Sequence, residues 1–200
     1  MFATALPTLI MFPDERPVFL REYSTNHYNV LSYFLSRLGL EAFLTAVQIL
    51  LVSILTYFMI DFQLAFGWHF IILYSLAMTS TALAMVLGST VEDPKLAVEM
   101  LPICLVPQIL LSGFFIATEL IPVWLRWLTY LMPFNYAVKI YLEQEFADCA
   151  RTNFACQHLL NSLSIDADDV WWYWLALLGL FVVLRSSAFI LLRRKADKYY

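Results

Sequence analysis

Glycine is scarce in this chain of 200 residues: five occur, Gly39, Gly67, Gly88, Gly113 and Gly179. None builds GxxxxGK[ST], the loop whose backbone N–H groups and lysine cradle nucleotide phosphates, so these residues hold no standard ATP site. Charge is also thin. Only 14% of residues are charged and 62% are hydrophobic, with a formal net charge of −4 and a mean hydropathy of +0.72. Soluble domains carry about a quarter charged residues, so the composition excludes disorder and points to a membrane. No basic stripe suggests a nucleic-acid partner. Cysteine is limited to three residues without zinc-type spacing, and HExxH and GxSxG are missing. His27, His69 and His158 are scattered and read as polar surface rather than as a metal site.

Long apolar runs are what the chain does have. Four are long enough to span: 38–60, 68–91, 96–117 and 170–192. At about 1.5 Å per residue each matches a hydrocarbon core of about 30 Å. A fifth run, 120–142, is interrupted by Pro122 and Pro133 and carries Arg126 and Lys139. The segment 13–37 holds Arg16, Arg21 and Arg37, and the tail 193–200 holds four basic residues. Basic flanks favour the cytosol, which requires an even number of crossings between them. Four fit and five do not.

The fifth run is therefore expected outside, as short re-entrant or interfacial helices with Trp124, Trp127 and Tyr130 in an aromatic belt; an ordinary spanning helix with kinks is the alternative. The external segment 118–169 is acidic, with Glu119, Glu143, Glu145, Asp148, Asp166, Asp168 and Asp169 against Arg126, Lys139 and Arg151. Residues 1–12 are too short to span and lack the basic start of a signal peptide, and read as the end of a truncated spanning helix. The last span, 170–192, runs into the basic tail, so that 170–200 forms one closing element.

The stretch 12–23, FPDERPVFLREY, packs five charges and two prolines between apolar neighbours. Asp14, Glu15, Arg16, Arg21 and Glu22 can pair among themselves, while Pro13 and Pro17 prevent one continuous helix. Leu31, Phe34, Leu35 and Leu38 then recur at i, i+3, i+4 and i+7, which predicts an amphipathic helix capped by Ser24 or Thr25. The segment 13–37 thus precedes three spans within 38–117. Inside the spans, ionisable residues are costly and default to a functional reading. Arg37 and Glu41, four apart, can pair. Arg185 can snorkel, or pair with Glu41 or Glu99. Gln48 offers an interhelical hydrogen bond, and Pro107 with Gln108 is placed to open its helix locally.

These strings carry a family likeness. F-P-x-E-R-x-x-F-x-R-E-Y at 12–23, then EDPK, LLSGFF, NYAVKIYLEQEF and LRSSAF, in this order and spacing, resemble the transmembrane domain of the G subfamily of ATP-binding cassette transporters, the White/Brown and pleiotropic-drug-resistance type. The resemblance covers nearly the whole chain. It implies an all-α membrane protein with an ABC-2 type transmembrane domain, represented here by the end of the second spanning helix and all of the third to sixth. The first helix, most of the second and the nucleotide-binding domain would lie outside, as expected of part of a half-transporter.

The resemblance also implies roles. The cytosolic segment with Asp14, Glu15, Arg16, Arg21, Glu22 and Tyr23 would rest on the nucleotide-binding domain and couple it to the membrane. Phe114 and Phe115 would form a hydrophobic valve, and Val106 and Ile109 the substrate path. Arg185, in an R-x-x-A-[YF] context, would be paired structurally, with Arg37, Glu41 and Glu99 as the neighbouring charges. Cys149 and Cys156, both external and therefore in an oxidising compartment, are expected in a disulfide that closes a small loop or joins two chains; Cys104 is a small hydrophobe. No cofactor is expected in this chain, ATP and Mg belonging to the nucleotide-binding domain. A second half-transporter and membrane lipids would be its other partners, and lipids, sterols or amphipathic xenobiotics its exported substrates. Two alternatives are a non-transporting accessory membrane subunit and a membrane-embedded enzyme, for which His69 with Asp61 is the only nearby acid–base pair.

Overall fold

The computed structural model describes residues 1–11, 30–60, 62–91, 93–112, 121–152 and 170–196. Among them are seven helices and no strand: α1 (Phe2–Met11), α2 (Val30–Ile60), α3 (Phe66–Thr90), α4 (Pro94–Leu110), α5 (Val123–Thr129), α6 (Pro133–Thr152) and α7 (Val170–Ala196). Three of these, at Leu31–Ile60, Phe66–Thr90 and Val170–Arg194, are long and apolar enough to cross a membrane. In hydrocarbon every backbone polar group must be satisfied within the segment, which leaves the helix as the available form. Several hydroxyls inside these helices are hidden the same way. Thr56, Ser75, Thr81, Ser89, Thr90 and Ser187 each donate to a carbonyl three or four residues back, so the serines and threonines of α3 do not interrupt it.

Helix α2 has 31 residues and rises about 46 Å, more than the hydrocarbon needs. The amphipathic helix expected before Leu38 and the span expected after it are one unbroken helix from Val30. Gly39 is the only weak helix former at the join, and a Cβ there would meet nothing within 4 Å; a lone glycine is tolerated within an otherwise strong run. The capping position at Ser24 or Thr25 lies outside the described residues.

Helix α4 starts with Asp93 as its cap: Lys95 N–H donates to Asp93 Oδ1 at 3.1 Å, and Pro94 occupies the first turn, where no N–H is needed. The helix continues through Pro107 to Leu110: Pro107, lacking an N–H, gives the Ile103 carbonyl no helical donor, while its own carbonyl accepts Leu111 N–H at 2.8 Å. It closes at Leu110, after which Ser112 N–H bonds three residues back to Ile109 at 3.4 Å. The last part of the expected 96–117 span lies outside the described residues.

The run 120–142 is two helices. Pro122, at φ −53° and ψ 141°, is extended and precedes α5, and Pro133 is the first residue of α6. The link is held by side chains: Asn135 Nδ2 donates to Thr129 O at 3.3 Å and Tyr136 Oη to Tyr130 O at 2.9 Å. Leu111, Ile121 and Met132 form a buried cluster with Leu125 and Leu128 against it. Trp124, Trp127 and Tyr130 are exposed.

The chain divides into two compact units. One comprises Met1–Gln48, Ala77–Ile103 and Phe181–Tyr200, and the other Ile49–Leu76 and Cys104–Leu180. The core of the first is Phe34, Met85, Ala188 and Leu192, with Tyr33, Leu38, Val86 and Phe189 packed against it. Phe34 and Phe189 meet edge to face at 5.4 Å.

Candidate functional site

In the first unit, one turn along α7 and two along α2 from that apolar core, lies a buried charge cluster. Arg185 of α7 sets Nη2 at 2.8 Å from Glu41 Oε2 of α2 and donates to Thr81 Oγ1 of α3 at 3.3 Å. Its Nη1 reaches Met85 Sδ at 3.0 Å, and its guanidinium carbon lies 5.6 Å from the centre of the Phe181 ring. The second oxygen of Glu41 accepts Thr8 Oγ1 of α1 at 3.0 Å. Both charged side chains are at least nine-tenths buried. A charge taken out of water persists only when paired and hydrogen-bonded, and here one pair fastens four helices together. Of the two carboxylates that the sequence offers Arg185, it uses Glu41; Glu99 is exposed. Arg37 lies one turn before Glu41 and lines with it a small cavity of about 60 Å³ between α1 and α2. Gln48 makes an interhelical bond, Nε2 to Ala3 O at 3.2 Å.

The second unit holds a polar cluster that the sequence reading placed wrongly. His69, expected as polar surface, is 2% exposed. Its Nε2 lies 3.1 Å from Thr56 Oγ1 of α2, and its Nδ1 2.9 Å from Tyr141 Oη of α6. Thr56 also reaches the carbonyl of Val52 at 2.8 Å. With the Thr56 proton on that carbonyl, the network assigns Nε2–H of His69 as donor to Thr56 and Nδ1 as acceptor from the Tyr141 hydroxyl. Both ring nitrogens are engaged. Asp61, the expected acid of an enzyme's acid–base pair, lies outside the described residues, as do His27 and His158. Among the described residues no cluster of three metal-ligating side chains occurs.

Helix α6 is clamped a second time one turn further on. Glu145 accepts Gln63 N–H at Oε1, 3.1 Å, and Leu64 N–H at Oε2, 3.2 Å, so one carboxylate caps the α2–α3 turn. Burial, and then the charge of Glu145, push the Tyr141 hydroxyl well above its ordinary value, so it stays protonated. On the other side of α6, Lys139 Nζ lies 5.3 Å from the centre of the Tyr173 ring of α7. Glu145 belongs to the Q-E-F string that carried the family likeness, but nothing local in the sequence links it to residues 63 and 64.

Residues 1–146 match the ABC-2 type transporter family. The chain belongs to that family. It is 29% identical to the protein white of Ceratitis capitata over 98% of this chain and 31% of that protein. It is 22% identical to ABC transporter G family member 1 of Dictyostelium discoideum over 98% of this chain and 27% of that protein. To the broad substrate specificity ATP-binding cassette transporter ABCG2 of Sus scrofa it is 26% identical, over 88% of this chain and 30% of that protein. The chain thus spans about a third of the length of these relatives. With its apolar helices it is an integral, multi-pass membrane protein.

Within this ABC-2 domain the expected path residues fall on α4. Val106 is 50% exposed and Ile109 half-buried, while Leu101, Leu105 and Gln108 turn inward. Gln108 Oε1 is buried without a hydrogen-bond partner among the described residues. Cys104 is free and half-buried, and Cys149, near the end of α6, is disulfide-bonded. The other residues expected to act, Cys156, Phe114 and Phe115 of the valve, and the coupling residues Asp14, Glu15, Arg16, Arg21, Glu22 and Tyr23, lie outside the described residues.

Proposed function

We propose that this chain is the substrate-translocating membrane portion of an ATP-driven half-transporter that exports lipids, sterols or amphipathic xenobiotics. The observation that carries the reading is the ABC-2 family match over residues 1–146, joined to similarity with G-family transporters across nearly the whole chain. These 200 residues contain no phosphate-binding glycine loop, so ATP and Mg act on a nucleotide-binding domain beyond them. That domain rests on the 13–37 segment, which carries the charges of Asp14, Glu15, Arg16, Arg21 and Glu22. Two such membrane portions face each other across the α4 surface that carries Val106 and Ile109, with Phe114 and Phe115 as the valve. The exposure of Val106 suits a face that meets substrate. The buried Arg185–Glu41 pair keeps the helices of its unit rigid while the bundle moves, and Cys149 pairs with Cys156 on the external side.

The reading is tested in inside-out membrane vesicles from cells expressing the protein as its gene encodes it. A fluorescent amphiphile accumulates with ATP and not with a non-hydrolysable analogue. Equal accumulation with both nucleotides removes the proposal.

A further inference from the structure

A cavity of about 360 Å³ lies within the second unit, bordered by α2, α3 and α6. Val52 and Ile60 of α2, Ile72 and Leu76 of α3, and Ala137 of α6 supply apolar walls. Among the described residues, the only polar side chains on its border are Thr56, His69 and Tyr141, and these are already committed to one another. The Thr56 proton goes to the Val52 carbonyl, the His69 Nε2 proton to Thr56, and the Tyr141 proton to His69 Nδ1. Among these three side chains no donor is left over for an incoming group.

That balance decides what fits. A peptide segment or a sugar brings carbonyls, amides or hydroxyls, and each group left unpaired inside costs about 1–3 kcal/mol. A hydrocarbon brings none. An apolar cavity of about 150 Å³ already stays dry and takes up benzene, so this larger one has room for a length of chain. Its border at Ile60, itself 60% exposed, continues along α2 into Leu55 and Met59, 64% and 83% exposed. These belong to a helix long and apolar enough to span the membrane, so the cavity border continues into an apolar surface suited to lipid chains.

We propose that this cavity binds one acyl chain of a bilayer lipid, entering past Ile60 and lying against α3 and α6. Val106 and Ile109 are not among its walls, so the site is separate from the proposed path and does not depend on whether the chain transports. The bound chain fills the space beside the His69–Tyr141 link and keeps water from competing for those hydrogen bonds.

The test uses the full protein in lipid nanodiscs containing a phospholipid with a terminal diazirine on one acyl chain, photolysed and mapped by peptide mass spectrometry. Labelling of the peptide that holds Phe134, Ala137 and Tyr141 is expected to saturate as the probe fraction rises. Labelling around Val182 and Val183, exposed positions of α7, rises in proportion to the probe instead. Ala137→Phe fills the cavity and lowers the α6 labelling about tenfold, the equivalent of about 1.4 kcal/mol in occupancy, with the α7 labelling unchanged. Where Ala137→Phe does not fold, Ile72→Phe narrows the cavity from α3 and is read in the same way. An unlabelled α6 peptide in the wild type means that another segment or a second protein covers the cavity, and overturns the proposal. Labelling that rises linearly and ignores the filling variants overturns it as well.

Discussion

Arg185 and Glu41, 144 residues apart in sequence, meet at 2.8 Å inside the protein, with Thr8 and Thr81 completing their hydrogen bonds. This contact joins the first, second, third and last of the described helices. Removing one partner leaves the other charge buried without the contact that compensates it, Glu41 keeping only the more distant Arg37 one turn away. Arg185→Met or Glu41→Leu alone is expected to cost about 3–5 kcal/mol, whereas the two together restore most of the loss because nothing charged is left behind. Thermal unfolding of the four proteins in one detergent forms the cycle. Losses that simply add in the double variant contradict the pairing.

Glu145 is predicted to hold the α2–α3 turn through the Gln63 and Leu64 amides. Glu145→Ala removes two charge-assisted bonds, each of about 1.5–3 kcal/mol at most and less where water reaches it. The measurement is hydrogen exchange of the 62–65 peptide, expected to accelerate about tenfold or more, since about 1.4 kcal/mol of opening energy is a factor of ten. Exchange that stays slow shows that the turn is held by something else.

Tyr141 carries the pH prediction. Burial and the nearby Glu145 raise its hydroxyl above the ordinary value of 10.0. A group whose value is raised on folding contributes stability that is fully present below its unfolded value and lost as pH rises through the folded one. Stability is therefore expected to be level with respect to Tyr141 up to about pH 10 and to fall above it. Tyr141→Phe is less stable at neutral pH and shows a shallower alkaline decline. Parallel alkaline curves for the two proteins exclude a buried, hydrogen-bonded phenol at this position.

Much of the helical layout was legible because apolar length and proline position are local signals. The runs later seen as α2, α3 and α7 stand out by hydropathy, and Pro122 and Pro133 mark the break between α5 and α6. At Leu38 the change from amphipathic to uniformly apolar sequence is a change of surroundings, and the helix itself continues through it. The charge cluster was half legible. Ionisable residues within spans announce themselves, but choosing Glu41 over Glu99 for Arg185 depends on which carboxylate faces inward. His69 was misread for the same reason. A histidine three residues into a helix resembles a surface residue, and its burial is set by Thr56, 13 residues before it, and Tyr141, 72 residues after it. Glu145 left a trace only as part of a recognisable string.

The central claim, that substrate crosses along the α4 face, is tested most directly by placing the same bulky side chain on two similarly exposed positions. Val106 is 50% exposed and Val182 48%. In the ATP-dependent vesicle uptake assay, with equal amounts of folded protein, Val106→Trp is expected to lower amphiphile accumulation about tenfold, equivalent to about 1.4 kcal/mol. Val182→Trp should leave it close to wild type. Equal uptake by both variants, or a loss confined to Val182→Trp, contradicts the account.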